Sequence, residues 1–166
     1  MLYYIKQKVF TIGDRYTIKD AAENDLFLVE GRIFTLGAKL QLFDMDRNEC
    51  AYIEQELFHL LPRYNIYRDG LLLAQVKKEF TFFKSRYSIE AGTGSYTVSG
   101  DFWSMDFVIE HDGRPAATIH KKWLSWGDSY QIDIADTEDI PLMLSIVIII
   151  DNTLHQNGQA AVIGSN

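Results

Sequence analysis

One apolar segment near the carboxyl terminus limits what this chain can fold into. Residues 140–150 read IPLMLSIVIII, with one Ser, one Pro and no charged residue. As a helix, this run would rise roughly 16 Å, about half of the ~30 Å hydrocarbon core of a bilayer. No Lys or Arg lies beside it to anchor it at an anionic interface. We therefore expect no transmembrane span, and a segment buried inside protein.

The residues that precede this run favour a helix over a strand. The run is rich in β-branched residues, and an all-apolar segment has no periodicity that separates a buried strand from a buried helix. Asp136, Thr137 and Asp139 can cap a helix, and Pro141 suits a first turn. We predict a helix at about residues 138–154, surrounded by protein because it is apolar on every side.

The rest of the chain is typical of β-structure. Aromatic residues make up 13% of the sequence, Pro occurs only 3 times, and ring side chains pack well on a pleated surface. About a dozen segments have strand length, and several alternate apolar with polar residues, such as YTIK at 16–19. Asp69-Gly70 and Asp112-Gly113 predict tight hairpins, because both residues of each pair can adopt a positive φ.

The sequence also repeats itself. Tyr-x-Ile occurs at Tyr16, Tyr64, Tyr87 and Tyr130. A shift of 66 residues places FDMDRNECAYIEQELF (43–58) on IEHDGRPAATIHKKWL (109–124) and Tyr64 on Tyr130. Hairpin-rich proteins can repeat in this way without further meaning. Alternatively, the chain forms a barrel or sandwich of two related halves.

A closed barrel accommodates both the strands and the apolar helix. Twelve strands spaced ~4.8 Å apart and tilted ~40° close with a radius on the order of 12 Å. The space left inside suits one helix, which is ~10–12 Å across with its side chains. We predict a mainly β, closed antiparallel barrel of about 12 strands that encloses the C-terminal helix. The domain should span residues 1–155, followed by a loose tail at 156–166.

The repeated strand units, HDGRPAATIHKKW (111–123) and the terminal IIIDNTLH (148–155) together resemble the LURP-one-related family. The resemblance covers about residues 1–155. That family belongs with the Tubby C-terminal domain and the phospholipid scramblases. It implies a twelve-stranded barrel around a central C-terminal helix. Tubby-like barrels are associated with phosphoinositide headgroups, so the resemblance also implies anionic lipid as a candidate ligand.

Charge and cysteine content restrict location and partners. The net charge of −7 argues against a nucleic-acid partner. Cys50 is the only cysteine, and the N-terminal residues MLYYIKQKVF lack the features of a signal peptide. We expect a cytoplasmic protein, either free or peripheral at a membrane.

No catalytic or metal signature emerges from the sequence. DMDRNECAYIEQ (44–55) begins like a calcium loop, but Glu49 stands where the turn needs Gly and Gln55 where a bidentate acid is needed. The four histidines lack metal-ligand spacing, and Cys50 has no nearby His in sequence. We expect no enzyme, no cofactor and no metal. A lipocalin-like carrier would need the lumen that the helix would occupy.

The strongest remaining signal is basic. Residues 61–122 hold 9 Lys or Arg against 7 acids. A possible anionic-lipid patch comprises Lys77, Lys78, Lys84, Arg86, Lys121 and Lys122. Lysines on edge strands also serve simply to prevent aggregation. We predict a non-catalytic binding or scaffold module that acts through its outer surface on an unknown protein partner. The alternative is a protein that recognises anionic phospholipid or is related to lipid scrambling.

Overall fold

The computed structural model describes residues 1–6, 15–32, 35–80, 85–124 and 127–163. Within these residues, the chain forms twelve β-strands followed by one α-helix. The strands are β1 (Leu2–Lys6), β2 (Arg15–Lys19), β3 (Asp25–Gly31), β4 (Lys39–Asp44), β5 (Glu49–Gln55), β6 (Arg63–Arg68), β7 (Leu71–Phe80), β8 (Ser85–Ala91), β9 (Gly94–Asp101), β10 (Asp106–His111), β11 (Arg114–Leu124) and β12 (Gly127–Ile134).

The strands form a closed antiparallel barrel, as the sequence predicts. Each strand pairs with its neighbours along the chain, and β1 closes the ring by pairing with β12, with Tyr3 opposite Ile132. Both predicted tight hairpins are present. Asp69 and Gly70 have φ values of 52° and 74°, and Asp112 has 46°, as a two-residue turn between right-twisted strands requires.

The helix α1 (Ile140–Ile163) forms the core. Strand residues that alternate inward, such as Ile18, Ile53 and Ile119, are fully buried against it. On the helix, Leu142, Ile146 and every neighbouring apolar residue up to Ile150 are at most 2% exposed. Each such aliphatic side chain contributes roughly 1.5–3 kcal/mol when buried. The interior is therefore filled by the chain's own helix, as predicted. Among the described residues, no helix meets the length and hydropathy needed for a membrane span.

The helix begins at a capped and ion-paired residue. Asp139 Oδ1 accepts a hydrogen bond from the Leu142 amide at 3.0 Å, as an N-cap residue does. The same carboxylate accepts two bonds from the Arg68 guanidinium, at 2.7 and 2.8 Å. This bidentate pair ties the start of α1 to the end of β6 and fixes where the helix enters the barrel.

The helix continues further than the sequence suggests. Its backbone remains helical to Ile163, whereas the sequence predicts an end near residue 154 and a loose tail from 156. The carboxyl-terminal residues HQNGQAAVIG lack an amphipathic pattern, which is the signal that a surface helix would give. The absence of that pattern is the reason that the sequence does not predict these last helical turns.

The internal similarity has a spatial counterpart. A shift of 66 residues carries β4, β5 and β6 onto β10, β11 and β12. The two strands of each matched pair are six positions apart in the closed ring of twelve, so they lie on opposite sides of the barrel. This arrangement is what a barrel of two related halves requires.

The barrel has two unlike ends. The odd-numbered strands all finish at one end of the barrel, which we call the loop rim. Among the described residues, this end carries the connections β3–β4, β5–β6 and β9–β10. We call the opposite end the turn rim, because it carries the tight turns β2–β3, β4–β5, β6–β7, β8–β9 and β10–β11. The helix follows β12, enters at the turn rim and runs toward the loop rim.

Candidate binding surface at the loop rim

Charge is divided unequally between the two rims. Among the residues whose side chains the structure describes, the turn rim carries fourteen carboxylate residues and four Lys or Arg, whereas the loop rim carries ten Lys or Arg and six carboxylates. The acids of the turn rim are Asp20, Glu23, Asp25, Asp44, Asp46, Glu49, Asp69, Glu90, Glu110, Asp112, Asp133, Asp136, Glu138 and Asp139, and its bases are Lys19, Arg47, Arg68 and Arg114. The bases of the loop rim are Lys6, Arg15, Arg32, Lys39, Arg63, Lys77, Lys78, Arg86, Lys121 and Lys122, and its acids are Glu30, Glu54, Glu56, Glu79, Asp101 and Asp106.

The loop rim also exposes large apolar side chains. Its exposed apolar residues are Leu36, Leu57, Phe58, Leu60, Phe80 and Trp103. The turn rim exposes Met1, Leu2, Met45, Leu71 and Leu72, but within the described part of the chain it exposes no Phe or Trp. Exposed aromatic rings beside an excess of bases distinguish the loop rim as the candidate binding surface.

The loop between β5 and β6 presents the most exposed of these side chains. Phe58 and Leu60 are essentially fully accessible to solvent, and Phe58 has a φ of 64°. A bulky residue in this left-handed region carries backbone strain of about 1–3 kcal/mol, which the fold must offset elsewhere. The Gln55 amide donates to the Ala38 carbonyl oxygen at 2.8 Å, and the Ala38 amide donates to Gln55 Oε1 at 3.0 Å. These two bonds hold the loop against its neighbour. The apolar tip is therefore displayed by a braced loop.

A cleft of about 780 Å³ lies beside this loop. Its wall includes Leu36 and Phe58, and its polar groups include Lys39, which pairs with Glu54 at 2.9 Å. Glu56, also in the wall, accepts hydrogen bonds from Asn65 and Gln75, and its Oε2 lies 2.8 Å from His59 Nε2. Burial tends to raise the pKa of Glu56, but these donors and Arg63 lower it below its usual value. The cleft is thus bordered by apolar side chains, and the charged groups in its wall are paired with one another.

The predicted basic residues near β7 do not form a single patch. Lys77 and Lys78 are consecutive on a strand, so their side chains leave opposite faces of the sheet. Lys78 takes the inward register of Val76, and its Nζ lies 5.8 Å from the Phe80 ring centroid and 6.0 Å from that of Tyr87. Burial lowers the pKa of Lys78.

Arg86, another member of that set, contributes less free charge than the sequence suggests. The Nε of Arg86 lies 2.7 Å from Glu79 Oε2, so a carboxylate of the neighbouring strand offsets its charge. Lys84 lies outside the described residues. Sequence spacing shows neither the cross-strand partner of Arg86 nor the inward register of Lys78.

Lys121 and Lys122 lie at the end of β11, four strands around the ring from β7. Lys77 and Lys78 lie near the end of β7, just as Lys121 and Lys122 lie near the end of β11. Both pairs are therefore at the loop rim, although a third of the barrel's circumference separates them. Lys122 is exposed and has no carboxylate within ion-pair distance among the described residues. The structure thus places both lysine pairs on one rim without bringing them together.

Four inward-facing tyrosines surround the helix where it reaches the loop rim. Tyr16, Tyr64, Tyr87 and Tyr130 come from β2, β6, β8 and β12, and all are buried. We call them the tyrosine collar. Tyr64 donates to Asn152 Oδ1 at 3.2 Å, and Thr153 donates to the Tyr64 hydroxyl at 3.4 Å. The Tyr-x-Ile repeat therefore produces a polar layer between the apolar core and the rim.

Asp151 lies inside this polar layer. Its residue is 3% exposed, and no hydrogen bond of normal geometry reaches either carboxylate oxygen among the described residues. Burial raises the pKa of Asp151 to about 6, although the charge of His155 and the nearby Tyr130 hydroxyl oppose the rise. The sequence does not predict this burial, because the apolar pattern ends at Ile150 and does not reveal how far the helix stays enclosed.

His111 and His120 each contact a carboxylate of a neighbouring residue. His111 Nδ1 lies 3.0 Å from Glu138, and its ring stacks on Tyr96 at 4.1 Å between centroids. The hydrogen bond to Glu138 raises the pKa of His111. His120 Nδ1 lies 2.7 Å from Asp106. Among the residues that the structure describes, no group of three or more His, Cys, Asp or Glu side chains could hold a metal ion.

Comparisons with known proteins agree with the barrel. A protein structure from Arabidopsis thaliana superposes with a TM-score of 0.70 over 91% of this chain and 89% of that one, at 20% sequence identity. This likeness shows that the two proteins share a fold. The uncharacterized protein YxjI of Bacillus subtilis (strain 168) is 36% identical over 154 residues, which cover 93% of this chain and 94% of that protein.

The sequence profile of the LURP-one-related family matches residues 1–151. The matched region contains all twelve strands and the enclosed apolar part of the helix up to Asp151. The predicted resemblance is thus confirmed over nearly the whole chain, and this protein belongs to the LURP-one-related family.

Proposed function

We propose that this protein is a non-catalytic binding or scaffold module and that it binds through the loop rim of its barrel. The observation that carries the proposal is the coincidence, on one rim, of excess basic charge and exposed aromatic and aliphatic side chains. Apolar groups of this size cost free energy when they face water, and large exposed groups commonly mark interaction surfaces. A partner that covered Phe58, Leu60 and Trp103 would remove that cost.

The arrangement of the interior supports a role without catalysis. The helix fills the barrel, and the inward strand residues are packed against it, which leaves the outer surface and the rims for binding. The loop-rim cleft contains charged groups that neutralise one another rather than an activated nucleophile with its base. A cytoplasmic location, with the protein free or peripheral at a membrane, is part of the proposal.

A pull-down with matched apolar variants tests which rim binds. The bait is the full-length protein, and the variants are Phe58→Ser with Leu60→Ser at the loop rim and Leu71→Ser with Leu72→Ser at the turn rim. We expect a reproducible partner from native extract to be lost with the first pair and kept with the second. Equal retention by both variants, or loss through the turn-rim pair alone, would place binding elsewhere.

Anionic phospholipid is the second candidate ligand. It is favoured by the exposed Trp103 and Phe80 on the rim that also carries Lys77 and Lys122, which lack a carboxylate within ion-pair distance among the described residues. Aromatic side chains prefer the headgroup level of a bilayer. Each Lys or Arg near an anionic surface contributes about 1 kcal/mol. The acidic turn rim would point away from such a surface.

Cosedimentation with vesicles tests this second candidate. Vesicles of phosphatidylserine and phosphatidylcholine are compared with pure phosphatidylcholine, using Lys122→Glu and the control Arg114→Glu. Both residues lie exposed on β11, at opposite rims. We expect Lys122→Glu to weaken binding to the anionic vesicles about tenfold and Arg114→Glu to leave it within about twofold. Equal pelleting with neutral vesicles would exclude a headgroup-charge mechanism.

A further inference from the structure

The end of the enclosed helix contains a charge that the fold does not neutralise. Asp151 follows the last apolar residue of the core, and its carboxylate is buried with no hydrogen bond of normal geometry from a described residue. Buried carboxylates are usually paired or hydrogen-bonded, because an isolated charge in an apolar setting is unfavourable. This one therefore distinguishes the helix end from the fully satisfied helix start at Asp139.

The groups around Asp151 cannot offset its charge fully. On its own helix the facing titratable group is His155, one turn later, and it draws the pKa of Asp151 downward. From the barrel wall, Tyr16 of β2 and Tyr130 of β12 face the carboxylate, and burial raises the pKa of Tyr16 well above its ordinary value. Across the collar, Tyr64 bonds to Asn152 and Thr153 instead. Burial raises the pKa of Asp151 by more than these favourable contacts lower it.

We propose that ionisation of Asp151 controls how firmly the last turns of α1, from Asp151 onward, stay docked in the tyrosine collar. When Asp151 is protonated it is neutral, so its burial in the polar layer carries no free-energy cost of burying a charge. Ionised Asp151 is stabilised by water, which it reaches when this part of the helix moves outward through the loop rim. The collar thus becomes a proton-sensitive clamp on the helix end, independent of what the rim binds.

Docking of the helix end weakens with rising pH, because Asp151 holds its proton more tightly in the docked state than in the undocked state. The folded protein holds the proton of Asp151 up to about pH 6, whereas an unfolded or undocked Asp releases it near pH 3.8. Docking of the helix end is therefore firmest below the lower value and weakens as the pH rises through about 6. The difference between these two pKa values limits the change in docking equilibrium to on the order of 100-fold.

Amide hydrogen exchange of the full-length protein at about pH 5 and pH 7.5 tests the clamp. After correction for intrinsic rates, we expect protection of amides after Asp151 to fall by about tenfold at the higher pH, because the rest of the change takes place below pH 5. Asp151→Asn should reduce that change to less than about threefold. The control Asp136→Asn removes a carboxylate at the turn rim that is 95% exposed, and it should keep the wild-type behaviour.

A carboxyl-carbon NMR titration provides a second readout that does not depend on a variant. We expect Asp151 to titrate near pH 6 in the folded protein. A midpoint below about 4.5 would overturn the proposal, because the carboxylate would then be stabilised in place. Wild-type protection that is equal at both pH values, or a pH dependence that persists in Asp151→Asn, would overturn it as well.

Discussion

Asp139 combines three tasks in one side chain. It accepts the Leu142 amide, pairs bidentately with Arg68 and begins the helix at the turn rim. Burial by itself would raise the pKa of Asp139, but the bonds from Arg68 and Leu142 outweigh it and lower that pKa. A depressed folded-state pKa means that ionised Asp139 stabilises the fold at neutral pH.

Replacing Asp139 separates its cap from its ion pair. We expect Asp139→Ala to lower the free energy of unfolding by about 1–3 kcal/mol at pH 7, because the cap and the charged bonds are both lost. Asp139→Asn keeps the cap oxygen and should cost less. Urea unfolding measures both. The difference from wild type should shrink below about pH 4, where the carboxyl group becomes protonated. A difference that is constant down to pH 3 would contradict the ionic contribution.

Some single residues can be assigned from sequence and others cannot. The capping role of Asp139 and the burial of Ile148 follow from local chemistry and apolar pattern, and the structure shows both. Arg68 as the partner of Asp139 does not follow, because the two residues are 71 positions apart and come together only when the barrel closes. The burial of Asp151 escapes sequence reasoning for the same reason.

At the scale of elements, the helix succeeds as a core because its apolar residues meet strands on every side. Ile148 is 2% exposed and Ile149 is fully buried. We expect Ile148→Asp to abolish soluble, folded protein, because it places an unpaired charge in the core. Ile148→Val, the matched control, should fold and lose only about 0.5–1.5 kcal/mol. Circular dichroism and thermal unfolding check both variants. Cooperative unfolding of soluble Ile148→Asp would contradict the enclosed position of the helix.

A strand end can also depend on a single glycine. Gly100 near the end of β9 has a φ of 145°, and a Cβ there would lie 2.5 Å from the Asp106 carbonyl oxygen. We expect Gly100→Ala to destabilise the fold by about 2–4 kcal/mol through this clash and through backbone strain.

Gly70 provides the control for Gly100, since its φ is 74° and a methyl group on its Cα would have no neighbour within 4 Å. Gly70→Ala should therefore cost about 1 kcal/mol, from backbone strain alone. Urea unfolding compares the two. Equal losses would show that the contact with β10 is not what requires glycine at position 100.

Strand existence is easier to predict than strand detail. Alternation and the Asp-Gly turns predict about a dozen strands and two hairpins, and the barrel has both. Residues 32–36 also have strand-like composition, but Arg32, Thr35 and Leu36 lie in a connection rather than a strand. The predicted basic patch rests on neighbouring positions in sequence, whereas the pleat sends Lys77 and Lys78 to opposite faces.

At the scale of the whole molecule, the two rims give the barrel a lasting separation of charge. The loop rim, with more bases than acids, would be drawn toward an anionic surface while the acidic turn rim is repelled. The excess of bases in residues 61–122 is visible in the sequence, but only alternating strand direction sorts charges from the entire chain onto two ends.

Trp103 can report this orientation. It is 77% exposed at the loop rim, so contact with phosphatidylserine vesicles should shift its emission to shorter wavelength. Trp103→Phe should remove most of that shift. Raising ionic strength from about 0.05 to 0.5 M should weaken the response, because screening shortens the range of the attraction. A shift that survives in Trp103→Phe, or that is insensitive to salt, would contradict docking through this rim.

The position of the helix after all twelve strands in the chain has a consequence for synthesis. A ribosome releases the β-strands before the segment that fills their centre, and β1 must wait for β12 before the ring can close. The nascent strands thus emerge with their inward side chains uncovered, and the final packing step joins residues far apart in sequence, which is slow. Protection of the incomplete ring by chaperones is accordingly most needed just before the helix leaves the exit tunnel.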